Sequence, residues 1–150
     1  MNVKALKRSF VLEPYVGADD IRFGMKRSEV SVRLGPPDVV DVSALGECNE
    51  HRSALRVAFD ATDETVVELG FTPACDVVLR GVSLFSIDDP LEFLMSIDAH
   101  PQLLFGFLVF EGLGLTITGY HDGDVGQRAI CLFMRERFRP FSADMTPYVP

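Results

Sequence analysis

Residues 21–37 read IRFGMKRSEVSVRLGPP, and the folding of this stretch decides how the rest of the chain is arranged. It opens as the end of a strand, and Gly24 then allows a backbone turn that a side chain would resist. Val30 and Leu34, four apart, share one helical face, which predicts a helix over 26–34. Gly35 suits a left-handed C-terminal cap, and Pro36 with Pro37 forbids continuation. Glu29 falls at the third helical position if Lys26 is the cap, but a lysine cannot accept the capping bonds. Val30 and Val32 are β-branched and form helix poorly. The helix is short, intrinsically weak, and must be held by packing.

On either side of it the chain reads as sheet. Upstream, residues 9–16 alternate loosely and predict an edge strand, stopped by Pro14 and Gly17. Downstream, 39–42 predicts a strand, 45–52 (LGECNEHR) a polar loop, and 55–59 a half-buried strand. An acidic turn at 60–63 leads into a returning strand over 66–71, and 77–79 continues into 82–85 with Gly81 as a bulge or bend. Asp89 as cap, Pro90 at the first helical position and Glu92 at the third predict a second helix. Leu91, Phe93, Leu94, Met95 and Ile97 wrap it in apolar surface, so it should be mostly buried, with His100 at its C-terminal dipole. Strands follow at 103–110, 115–120 and 129–138, before an irregular tail over 140–150.

The order helix, strand, strand, turn, strand thus occurs twice, with helix starts at Lys26 and Pro90. The prediction is one domain of two similar halves, about 21–80 and 81–139, a repeat of plan and not of residues. Its fold class is α+β: an antiparallel sheet with two short helices on one face, a tandem αβββ-type repeat.

Phe23, Gly24, Met25, Glu29, Val30, Leu34, Gly35 and Pro37 form the pattern F-G-M-x-x-x-E-V-x-x-x-L-G-x-P. It resembles the opening of the β-lactamase-inhibitor-like and small outer-membrane-lipoprotein (SmpA/OmlA-like) group of domains. Lys26 stands where members of that group carry Ser or Thr. The resemblance implies a doubled helix-plus-sheet unit that acts by binding another protein.

Charge narrows the partner. The net charge is -8, but residues 1–37 carry +3, residues 38–98 carry -10 and the remainder -1. So acidic a middle argues against nucleic acid and suits a protein partner, a basic one in particular. No apolar run approaches the ~20 residues that span a bilayer, and the first sixteen residues lack a secretory core, so the expectation is a cytoplasmic protein without a membrane partner. Cys48, Cys75 and Cys131 are odd in number and far apart, which reads as reduced thiols.

Local motifs for chemistry are sparse. His121, Asp122 and Asp124 in HDGD put three metal-binding or acid–base groups within four residues, yet Asp-Gly favours a hairpin turn. The corresponding turn of the first half, with Asp60, Asp63 and Glu64, is acidic without a histidine, so turn chemistry explains both. Cys48 and His51 make one C-x-x-H pair with no second pair to complete a zinc site. Phosphate-loop and nucleophile-elbow motifs are absent from the sequence. Arg135, Arg137 and Arg139 alternate, so a strand there would show three guanidinium groups on one face, either solvated or meeting carboxylates. Phe105, Phe107 and Phe110 read as core.

The sequence therefore predicts a binding protein without catalysis, metal or cofactor, of the immunity or inhibitor type that neutralises a bacterial toxin or enzyme. Its candidate contact residues are Asp60, Asp63, Glu64, His121, Asp122, Asp124, Arg135 and Arg137. Two alternatives stand beside it: a small-molecule pocket between helices and sheet, and an envelope-assembly role if a signal sequence precedes Met1.

Overall fold

The computed structural model describes residues 7–150; residues 1–6, which open the segment searched for a secretory core, lie outside the described residues. In chain order the strands and helices are β1 (Ser9–Glu13), β2 (Gly17–Ala18), β3 (Ile21–Arg22), α1 (Arg27–Leu34), β4 (Val39–Val42), β5 (Cys48–Arg52), β6 (Leu55–Phe59) and β7 (Val66–Phe71). Then come β8 (Asp76–Leu79), β9 (Val82–Ser83), α2 (Pro90–Ile97), β10 (Gln102–Leu104), β11 (Phe107–Phe110), β12 (Leu115–Thr118), β13 (Ala129–Phe133) and β14 (Thr146–Pro147). The class is α+β, as the patterning predicts.

A nine-stranded sheet runs β14-β10-β11-β12-β13-β7-β6-β5-β4, antiparallel at every pairing. Two meanders, β4 to β7 and β10 to β13, each follow a helix of eight residues and meet back to back at β7 and β13. A second sheet, β3-β2-β1-β8-β9, covers one face, and in it β1 pairs parallel with β8.

Register shows how the core is made. One row crosses the large sheet as Val57, Leu69, Leu132, Leu115 and Phe110, all fully buried. The next row on that face is Leu55, Phe71, Ile130, Ile117 and Leu108. Phe10 and Val77 of the small sheet, Val30 of α1 and Leu94 of α2 close over these rows in one cluster. Both helices therefore pack on the same face of the large sheet, here called the inner face.

Helix starts follow local chemistry. At α1 the cap position is Lys26, which makes no side-chain capping bond, and Gly35 ends the helix with φ +79°. At α2 the Asp89 carboxylate accepts from the Glu92 amide, and Pro90 sits in the first turn.

Several expectations are corrected. Residues 48–52 form strand β5 instead of a loop; their polar side chains misled because Glu50 and Arg52 face inward and pair there. The apolar run 103–110 is two strands, folded at Phe105 and Gly106 with φ +49° and +87°. Of the two alternatives at Gly81 the structure has the bend: with Arg80, both at positive φ, it turns a tight β8–β9 hairpin. β1 is no edge but lies between β2 and β8. α2 buries only Pro90 and Leu94 fully; its C-cap is Asp98, and His100 is exposed beyond it. The last strand ends at Phe133, because Glu136 adopts φ +66° and 139–144 winds into 3-10 turns. Arg135, Arg137 and Arg139 hence do not share a strand face. Of the three phenylalanines read as core, Phe110 is buried, Phe107 is half-buried on the outer face and Phe105 is exposed.

Candidate functional site

Among the described residues each sheet has two ends, and three of the four terminal strands are blunted by length. β3, β9 and β14 have two residues each, and β14 carries Pro147. The fourth, β4, is Val-Val-Asp-Val with all four residues exposed, Val42 at 68%. The Ser43 amide donates to the Glu47 carbonyl at 2.8 Å, which makes 43 and 47 a hydrogen-bonded pair. By alternation Val39 and Asp41 bond to β5, and the amides and carbonyls of Val40 and Val42 point away from the sheet. An apolar edge with free backbone groups is a template for another strand.

The acidic turn lies at the same end of this sheet. The β4–β5 hairpin tip touches the β6–β7 turn: a Cβ on Gly46 would lie 3.5 Å from that of Ala61. Leu45, at the tip, is 70% exposed. In the turn, the Asp60 carboxylate accepts from the amides of Asp63 and Thr62, which holds its pKa below the ordinary value. Asp63 accepts from the Thr65 amide and hydroxyl, and Glu64 meets Arg27 at 3.3 Å.

Behind the edge, on the outer face, a polar network crosses four strands. His51 and Asn49 of β5 both hydrogen-bond the Asp41 carboxylate, at 2.6 and 3.1 Å, and lower its pKa. Asn49 in turn accepts from Arg56 at 3.0 Å, and Arg56 pairs with Glu68 of β7. Glu68 also accepts from Arg137 at 3.1 Å, and Arg137 donates twice to Glu47, at 2.8 Å each. Burial alone would lower the Arg137 pKa; its hydrogen bonds to Glu47 and the charge of Glu68 raise it instead. The Arg137 hydrogen bond is also the main cause holding the Glu47 carboxyl below its usual range.

The other predicted contact residues lie elsewhere. Because β7 and β13 are antiparallel, the loop before β13 leaves the opposite end of the sheet from the turn before β7. His121, Asp122 and Asp124 occupy that far loop and are not brought together with Asp60, Asp63 and Glu64. Asp122 accepts from the Asp124 amide, and the His121 ring packs edge-on against Tyr148. Among the described residues no group of three or more His, Cys, Asp or Glu is placed to hold a metal. Arg135 is exposed and stacks on Tyr15 at 4.3 Å, whereas Arg137 is only 16% exposed and pairs its guanidinium with Glu47 and Glu68.

Beside the network an outer-face hollow of about 390 Å³ has aromatic walls of Phe105, Phe107, Phe138 and Phe141 around Arg56 and Glu68. The Cys131 sulfur is 3.8 Å from the Arg56 guanidinium, but burial pushes this thiol up, as it does those of Cys48 and Cys75. All three cysteines are unpaired. Among the described residues no helix is long and apolar enough to cross a membrane.

Comparisons with family models, with curated proteins and with solved structures give no match in any of the three. The site rests on its geometry alone.

Sequence reasoning missed Asp41, Glu47, Asn49, His51, Arg56 and Glu68 as a unit. A signal existed, since Asn49 and His51 alternate, as Arg56 and Ala58 do. Reading 48–52 as strand would have aligned them.

Proposed function

We propose that this chain is a protein-binding module that adds an extended strand of a basic partner to β4. The observation that carries the reading is β4 itself, a four-residue apolar edge with unpaired backbone groups, where every other sheet end is cut to two residues. In strand addition, backbone hydrogen bonds supply affinity and alternate side chains supply specificity. Val40 and Val42 face the inner side and Val39 and Asp41 the outer, so a partner strand meets an apolar row and a mixed one. The acidic turn at the same end adds the charge complement for a basic partner.

Self-pairing is disfavoured. The antiparallel register centred on Asp41 puts two Asp41 carboxylates opposite each other, and the chain already carries -8. An immunity or inhibitor protein blocking a basic bacterial enzyme in the cytoplasm is the specific form of this reading. It is supported by the inhibitor-like pattern of residues 23–37 and by three unpaired cysteines suited to a reducing compartment.

The test combines capture from the native cytoplasm with hydrogen exchange on the complex. A partner retained by the wild type and released by Val40→Lys/Val42→Lys, with slowed exchange at the amides of Val40 and Val42, is the expected result. Equal capture by the double variant, or unchanged exchange along β4, would sink the edge as the docking site.

A further inference from the structure

Where α1 ends, a cleft of about 420 Å³ opens between the two sheets, lined by no residue of β4 or of the outer-face network. Its walls mix an apolar set, Phe10, Leu34, Pro36, Leu55 and Ala74, with three cations, Lys7, Arg8 and Arg52. Asp38 is the one acid among the lining residues, and its carboxylate accepts from the Ser53 amide.

Arg52 is the unusual member. Only 8% exposed, it lies on the inner face of β5, where burial of a cation requires compensation. Its Nε donates to the Gly35 carbonyl at 3.0 Å, and Nη2 lies 2.9 Å from Glu50 Oε1. Among the described residues neither Nη1 nor Nη2 has a hydrogen-bond partner, so the contact with Glu50 Oε1 is an ion pair only. Glu50, itself 3% exposed, gives its other oxygen to Arg27, at 3.0 and 3.1 Å. One buried carboxylate is thus shared by two guanidinium groups; among the described residues Arg27 has Glu64 as a second acid while Arg52 has none. Lys7 and Arg8 add positive charge at the same cleft: Lys7 bonds the Pro73 carbonyl and Arg8 lies over the Phe10 ring at 4.8 Å.

The geometry points to a binding site for a small organic anion, a carboxylate carried on a compact apolar body. The carboxylate adds negative charge beside Lys7, Arg8 and Arg52, the last of which has only a share of Glu50, and the apolar body covers Leu34, Pro36 and Ala74. A fully hydrated inorganic ion would leave that apolar wall uncovered, so the hydrocarbon part is integral to the fit. No atom of this site belongs to β4, and the two sites stand or fall separately.

Titration of the intact chain with sodium hexanoate, followed by amide resonances, tests it, with 1-hexanol and sodium phosphate as the neutral and inorganic controls. Hexanoate is expected to shift the amides of Ser53, Ala54, Ala74 and Cys75 saturably, with the controls leaving them in place. Removing Arg52 endangers the buried charge cluster, so the decisive variant is Lys7→Gln/Arg8→Gln, which alters two exposed side chains. It should weaken hexanoate binding by about fivefold or more while leaving the melting temperature near that of the wild type. No saturable shift up to about 20 mM hexanoate would overturn the proposal. Equal shifts with hexanol or with phosphate, or undiminished binding in the double variant, would do the same.

Discussion

Arg137 and Glu47, 90 residues apart in the chain, are joined by two parallel hydrogen bonds of 2.8 Å. One residue follows the last strand of the second meander, and the other sits in the first hairpin of the first. With Glu68 between them the pair ties the end of β13 to the β4–β5 loop, across the strands that separate them. Replacing Arg137 by Met leaves Glu47, 17% exposed, without its cation and Glu68, 10% exposed, with Arg56 alone. The expected loss is about 3 kcal/mol of stability, because removing one partner strands buried charge. Urea denaturation at neutral pH measures it, and a loss within experimental error would mean the pair is ornamental.

Acid should unfold this protein from the same corner. Glu47, Asp41 and Asp60 all have folded pKa values below the ordinary carboxylate range. The folded form therefore holds their protons less tightly than the unfolded chain does. Their contribution is complete above the unfolded values and disappears as pH falls through the lower, folded ones. Stability should change little from pH 7 to about 5 and decline below that, more gently in Arg137→Met, where the cause of the Glu47 shift is gone. A parallel decline in wild type and variant would contradict the assignment.

Two glycines near the N-terminal side should respond very differently to a methyl group. At Gly17, φ is +151° and a Cβ would lie 2.1 Å from the Ile21 carbonyl oxygen and 2.9 Å from Arg22 Cα. Backbone blocks it on both counts, so Gly17→Ala must open the β2–β3 pairing and should cost about 3 kcal/mol or more. At Gly24, φ is +86° but nothing lies within 4 Å, so only left-handed strain remains, about 1 kcal/mol. Thermal unfolding of the two variants ranks them; the reverse ranking would show that the turn geometry is wrong.

What the sequence made legible was local. Gly24, Gly35 and the Asp89–Pro90–Glu92 start each act within a few residues, and the structure places both helices where these signals do. What it hid was long-range pairing. Glu50 and Arg52 look like loop residues because their inward charges make sense only beside Arg27 of α1. Arg135 and Arg137 look like a strand face because nothing local announces Glu136 at φ +66°. The break at Phe105 and Gly106 sits inside an apolar run, where glycine alone gave too little warning. Val39, Val40 and Val42 read correctly as strand, but their exposure depends on β4 being last in the sheet, which strand order decides. The acidic turn was legible as acidic; its place beside that edge was not.

That turn also calls for care in testing the charge half of the docking proposal. Reversing Asp60, Asp63 and Glu64 to lysine would remove charge and turn architecture together. Asp60 accepts two backbone amides and Asp63 an amide and a hydroxyl, bonds that lysine cannot accept. Asparagine keeps an acceptor oxygen at each position, and glutamine at 64 keeps the length of the side chain. Asp60→Asn/Asp63→Asn/Glu64→Gln therefore removes three charges with the turn intact, and its melting temperature should stay within a few degrees of the wild type. Against the partner captured through β4, it should associate several-fold more slowly at low salt, and the difference should shrink as salt screens it. Dissociation should be little changed, since backbone pairing to Val40 and Val42 is untouched. An association rate equal to wild type at low salt would remove the acidic turn from the interface and leave the apolar edge to stand alone.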